Sequence, residues 1–322
     1  MKKQCNALIK SVAVIAVVGM LGAFLLPTLA EAQGRGGGPP GGGGGGVELV
    51  EHVMVEGAST REYYMYVPEN YDSGTATPLL IAYHGFGGTA TAFAGSEVGD
   101  LNDVADTNNF LIAYPQALDH VGGEKDGIFW DPADNGIQDI GQNDVYFTQE
   151  LIADAAANYN IDAALVYAAG YSNGGMMSYG LACKRPDLIA AIGIMSGIML
   201  PDTCVSGQYT SVIHFHGVGD SVLPYNGNQD YQSVADVVDF WLTKNNIPVS
   251  SLVSTFCDDG RKVGEATRDE YTGGSGSTDL TLYTVDKVGR KTAGHVWFSH
   301  DICGVGANQI LWDFLSNYST ND

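Results

Sequence analysis

Residues 163–183 read AALVYAAGYSNGGMMSYGLAC. The apolar run Ala163 to Ala169 reads as a buried strand. It breaks at Gly170-Tyr171-Ser172-Asn173-Gly174, and the pattern resumes as a helix over 175–183. No other G-x-S-x-G occurs in the chain. A serine between strand and helix must take a sharp turn, and the flanking glycines remove the side chains that would clash there. The hydroxyl is then held out at a helix N-terminus. The alternative is an ordinary Gly-rich strand-to-helix turn.

The surrounding pattern sets the fold class. A hairpin is expected over 47–55 and 61–67, with strands at Pro78–Tyr83, Asn109–Tyr114, Leu188–Met195, Ser211–Phe215 and Leu280–Val285. Between them lie helical periods. Phe147, Leu151, Ile152 and Ala155 share a face in 143–159. Val234, Val237, Val238 and Trp241 do so in 229–244, and Ile310, Leu311, Phe314 and Leu315 in 307–318. Short apolar strands alternating with helices predict an α/β fold, a mostly parallel sheet covered on both faces. Ligands in such sheets bind at the carboxyl ends of the strands.

A nucleophilic serine needs a base, and the base an orienting acid, in chain order Ser…Asp/Glu…His on this pattern. Asp220 follows strand 211–215 in Gly217-Val218-Gly219-Asp220. Its other reading is a turn Asp before Ser221; Asp202 and Asp230 are the further candidates. His295 lies between the last strand and the closing helix, with His300 as the alternative base. The oxyanion needs two backbone N–H donors. Asn173 supplies one, and Phe86 in His84-Gly85-Phe86-Gly87-Gly88 the other. His84 reads as a brace for that loop. His214 and His216 form an H-x-H pair, which is a metal pattern, but no third ligand accompanies it. No metal or cofactor is expected.

These residues resemble the secreted polyhydroxybutyrate-depolymerase/feruloyl-esterase branch of the α/β-hydrolases. The likeness runs over roughly residues 75–316. It is carried by YHGFGG at 83–88, FWDP at 129–132, NDV at 143–145, VYAAGYSNGGMMSY at 166–179, LACKRPDL at 181–188 and HGVGDSVLPYNG at 216–227. The resemblance implies an α/β-hydrolase fold with Ser172 as nucleophile, Asp220 as acid and His295 as base. It also implies Trp130 and Tyr225 as walls of the substrate pocket; otherwise they are core aromatics. One departure stands at 292–299, TAGHVWFS, where the family has GGGH-x-WPG. Phe298 replaces the proline, which bears on pocket shape rather than on the base.

The implied activity is a serine carboxylic-ester hydrolase on plant-wall feruloyl or acetyl esters. The alternative is a polyhydroxyalkanoate depolymerase or oligomer hydrolase. No added substrate-binding module is read after the closing helix, which favours wall esters or soluble oligomers. A non-catalytic surface binding protein on the same scaffold is the reading from another class, and a peptidase a third.

Composition bounds these readings. Of 322 residues, 45% are hydrophobic and 16% charged, which excludes a disordered acidic chain. The net charge of -22 argues against a nucleic-acid binder, which needs a basic face. Lys2, Lys3 and Lys10, the apolar run Val12–Leu26 and Ala30-Glu31-Ala32 predict a signal peptide over 1–32 and export to the periplasm or exterior. No membrane association is then expected of the mature chain. Residues 33–46 read as a Gly/Pro-rich linker, and 47–322 as one catalytic domain. Cys183, Cys204, Cys257 and Cys303 suit disulfides in an exported protein. Three pairings are open; Cys183–Cys204 and Cys257–Cys303 are favoured because each brackets a compact stretch.

Overall fold

In the computed structural model, residues 48–121, 126–200, 204–257, 265–286 and 294–321 are described. The expected signal peptide, the linker and Asp202 lie outside them. A ten-stranded sheet organises residues 46–322, which form one compact unit. Its strands are β1 (Val50–Glu56), β2 (Ser59–Tyr66), β3 (Thr77–Tyr83), β4 (Leu111–Pro115), β5 (Ile161–Tyr171), β6 (Ala191–Met195), β7 (Ser211–Gly217), β8 (Val253–Cys257), β9 (Ala266–Tyr271) and β10 (Leu280–Val285). They lie in the order β1-β2-β4-β3-β5-β6-β7-β10-β9-β8. The central pairs β4·β3, β3·β5, β5·β6, β6·β7 and β7·β10 are parallel. Antiparallel strands complete both edges.

The central strands are mostly buried, because helices cover both faces. On one face pack α2 (Asp144–Asn158), α3 (Asn173–Lys184) and α4 (Val234–Lys244), through residues such as Phe147, Leu151, Met177, Val237 and Trp241. On the other pack α1 (Leu101–Asn108) and α5 (Ala307–Leu315), through Leu101, Val104, Leu311 and Trp312. This is the α/β-hydrolase architecture expected. No described helix is long and apolar enough to cross a membrane. The disulfides join Cys183 to Cys204 and Cys257 to Cys303.

Boundaries moved where caps decided them. Helix α4 begins at Val234 and not at 229, because Ser233 and Asp236 form a capping box. Strand β4 starts at Leu111, because Asn109 takes a left-handed conformation (φ 54°) that ends α1. Helix α1 and the edge strands β8 and β9 were not anticipated. Strand β8 is exposed along most of its length and β9 carries Thr267, Arg268, Asp269 and Glu270, so neither shows the apolar signal of a core strand.

A buried cation ties the early strands to the site. Arg61 is 2% exposed and sits over the Phe147 ring, 3.8 Å from its centroid. It donates to Asp144 Oδ1 at 2.8 Å, to the Ile140 carbonyl at 2.8 Å and to the Gln116 carbonyl at 3.1 Å. Asp144 Oδ2 accepts from the Asp131 N–H at 2.7 Å. One charge pair thus fixes both the 116 segment and the 130 segment, whose roles follow below.

Two stability predictions arise. Removing one partner of a buried ion pair strands the other, so Arg61→Met should lower unfolding free energy by about 3–5 kcal/mol in urea denaturation; a loss under ~1 kcal/mol would contradict this account. His84, His214 and His216 are buried, and that burial pushes each below the ordinary histidine value. The unfolded chain therefore binds protons below pH ~6.5 that the folded protein refuses, and stability must fall as pH drops through that value. The slope should reach at most about 1.4 kcal/mol per pH unit for each histidine, above the range where carboxylates protonate. Urea midpoints at pH 7.5 and 5.5 test it; equal midpoints would refute it.

Candidate active site

The site is built from the carboxyl ends of neighbouring strands. Strand β5 delivers Ser172, which takes φ 54° and ψ -117° before α3 begins at Asn173. Close contact makes the glycines obligatory there. A Cβ at Gly170 would lie 2.1 Å from the Gly174 carbonyl oxygen, and one at Gly174 would lie 2.2 Å from that of Tyr83. The turn is therefore pressed against strand β3, and no side chain fits on either flank.

Strand β7 delivers Asp220. Asp220 has a fully buried side chain, and its Oδ1 accepts from the N–H groups of Val222 at 2.8 Å and Leu223 at 2.9 Å. Its Oδ2 lies 2.8 Å from His295 Nδ1. Burial alone would raise this carboxyl, but the hydrogen bonds from His295, Leu223 and Val222 outweigh it and hold it below the ordinary value. His295 Nε2 in turn lies 3.0 Å from Ser172 Oγ. The carboxylate fixes Nδ1 as the protonated nitrogen, so Nε2 faces the serine as an acceptor. The structure thus brings Ser172, His295 and Asp220 together from positions far apart in sequence. His300 and Asp230 take no part in this contact. Gly294 (φ 95°) lets the two loops meet: its Cβ would fall 2.7 Å from the Asp220 nitrogen.

Two residues that the sequence did not single out hold His295 in place. Tyr171 donates to the His295 carbonyl at 3.1 Å and tilts its ring against the imidazole, with centroids 5.2 Å apart. Ser196, at the end of β6 with φ 49°, bonds the carbonyl of Val296 at 2.8 Å and accepts from its N–H at 3.2 Å. The only sequence signal for Ser196 was its place directly after a strand.

The Gly85-Phe86 loop follows β3 and lies against the serine. A Cβ at Gly85 would sit 3.4 Å from Ser172 Cβ. His84 braces this loop: its Nε2 accepts from the Ala117 N–H at 3.2 Å, so Nδ1 donates to the Gly85 carbonyl at 2.8 Å. The Gly87 N–H is bonded to the Ile128 carbonyl at 2.7 Å, beside the exposed ring of Phe86. Asn173 is pinned through its side-chain amide, which accepts from the Trp130 N–H at 2.7 Å and donates to the Trp130 carbonyl at 3.0 Å. Asn173 and the Gly85 end of the Phe86 loop therefore lie beside Ser172.

Trp130 corrects an expectation. It is 1% exposed and its indole N–H donates to the His84 carbonyl at 3.0 Å. It works as the core brace that joins the Phe86 loop to Asn173, and a ring so covered has no face left for a pocket wall. Tyr225 is half-buried, bonded to Thr284 at 2.9 Å and set edge-on to His216. His214 and His216 hydrogen-bond each other at 3.0 Å. Among the described residues no cluster of three His, Cys, Asp or Glu side chains could hold a metal.

Known proteins resemble this chain in sequence and fold. A probable feruloyl esterase C of Aspergillus terreus is 30% identical over 177 residues, covering 54% of this chain and 60% of that protein. Feruloyl esterase B of Piromyces equi is 26% identical over 261 residues, 78% of this chain and 44% of that protein. The chain thus spans about half the length of these curated relatives. In structure, the acetyl xylan esterase from Aspergillus awamori superposes with a TM-score of 0.53 at 16% identity, over 74% of this chain and 95% of that one, which shows a shared fold. The family model described as esterase PHB depolymerase matches residues 61–235, more than half of the sequence, so the chain belongs to that family.

Proposed function

We propose that this protein is a serine carboxylic-ester hydrolase. One observation carries the reading: Ser172 Oγ, His295 Nε2, His295 Nδ1 and Asp220 Oδ2 lie in series at 3.0 and 2.8 Å, on a serine held at positive φ. Ser172 attacks the ester carbonyl while His295 takes its proton at Nε2. Asp220 orients the ring and stabilises the imidazolium. The N–H groups of Phe86 and Asn173 stabilise the tetrahedral oxyanion. The imidazolium protonates the leaving alcohol, and water deprotonated by His295 then releases the acid. No cofactor takes part. Residues 1–32 act as an export signal, and the two disulfides suit an oxidising compartment.

Plant-wall feruloyl or acetyl esters are the proposed substrates, supported by relatives named feruloyl esterase and acetylxylan esterase. The family's description supports a hydroxyalkanoate polyester as the second reading. Tyr225, beside the acid, is the proposed pocket residue. An acidic surface suits neutral esters of either kind.

Ser172→Ala should reduce kcat on p-nitrophenyl acetate by about 10⁴- to 10⁶-fold. Turnover near that of the parent, or failure of a fluorophosphonate probe to label Ser172 in the parent, would overturn the assignment and favour a binding role. For the substrate, release of ferulate from methyl ferulate is expected to exceed clearing of a polyhydroxybutyrate suspension. Clearing without ferulate release would select the polyester reading.

A further inference from the structure

His214 and His216 are buried titratable groups that the reaction above does not use. They stand on the same side of β7, and between them they leave no freedom in where their protons lie. His216 Nε2 is 2.8 Å from the Leu223 carbonyl and 3.4 Å from Asp220 Oδ2. Both oxygens can only accept, so Nε2 carries a proton. In a neutral ring Nδ1 is then a bare acceptor. His214 Nε2 lies 3.0 Å from it and must be the donor. That leaves His214 Nδ1 as an acceptor, and the Tyr179 hydroxyl at 2.9 Å donates to it. The Gly197 backbone also hydrogen-bonds the pair.

Burial outweighs the acceptors that face the rings, the Leu223 and Gly197 backbone and the Asp220 carboxylate, which alone would favour charged rings. Tyr179 comes from α3 and stacks on Trp241 of α4. Tyr225 meets His216 edge-on. The charged neighbours are Asp220 and, when it takes a proton, His295, and both touch only the His216 end. Burial holds both rings below the ordinary histidine value.

We propose that Tyr179, His214 and His216 form a one-directional, neutral hydrogen-bond chain that positions the catalytic acid, locking Asp220 and the 220–223 turn in the orientation His295 requires. The proposal rests on the triad reading above. Asp220 Oδ1 is fixed by its own turn, while Oδ2 has His295 on one side and the His216 N–H on the other. Loss of the Tyr179 hydroxyl leaves His214 Nδ1 without its donor. The tautomers can then reverse along the chain, which would turn a lone pair of His216 toward Leu223 and Asp220.

The tautomers themselves can be read without any activity. Long-range ¹H–¹⁵N spectra of the Ser172→Ala protein should show His214 and His216 both neutral and protonated at Nε2; an Nδ1–H form of either would overturn the chain. In the enzyme with Ser172 intact, Tyr179→Phe should lower kcat about 10-fold and His216→Leu about 100-fold, with KM within about twofold, since each leaves a buried polar group unpaired. The acidic limb of the kcat/KM profile should move in both variants. His216→Gln, which keeps an N–H where Nε2 stood, should recover most of the loss. Circular dichroism melts establish that each variant is folded at the assay temperature. Folded Tyr179→Phe with the parent's kcat and pH limb would refute the positioning role. Absence of esterase activity in the parent would instead refute the triad reading and leave the tautomer result standing.

Discussion

The structure depends on one close approach, the contact of the Ser172 turn with the end of β3. Gly170 and Gly174 leave room for no side chain, so backbone meets backbone across the two strands. That contact forces Ser172 to positive φ and aims α3 out of the sheet. It also brings the Gly85-Phe86 loop against the serine. Ser172, the proposed nucleophile, and the loop proposed to stabilise the oxyanion are therefore set by the same steric event, and neither can shift without the other.

The remaining groups are placed by strands that lie side by side. Strands β6, β7 and β10 follow β5 in the sheet, and the residues after each converge on the same end. Ser196 clamps the segment around His295, and Gly217 and Gly294 let the Asp220 and His295 loops touch. The site is thus held by backbone hydrogen bonds and glycine contacts more than by side-chain charge. The buried Arg61–Asp144 pair works at a distance: it secures the 116 and 130 segments, which brace the Phe86 loop and Asn173. Its desolvation is offset by three polar partners outside the pair and an aromatic face, which is the arrangement a buried charge requires.

Much of the site was legible because its chemistry is local. The G-x-S-x-G turn, the Asp after a strand and the His before the closing helix each have a short signature. His84 could be read as a brace from its place beside glycines. Tyr171 and Ser196 could not be read. Ser196 reaches Val296 across 100 positions, and only the sheet order makes them neighbours. Trp130 was misread for the same reason, since burial is a property of its surroundings. The H-x-H pair lacked a third ligand in the sequence, and folding set its two rings in hydrogen-bond contact with each other. Helix α1 and the edge strands escaped notice because their residues are mixed in polarity and held by neighbours rather than by their own pattern.

The sequence by itself determined the α/β class, the sharp turn at Ser172 and the chain order of Ser172, Asp220 and His295. Periodicity and glycine placement act over a few residues, and those the chain states directly. Only the tertiary structure decided which aromatic is core and which residues hold His295. Those outcomes rest on distances between groups far apart in the chain, and such distances exist only once strands of remote sequence lie in one sheet.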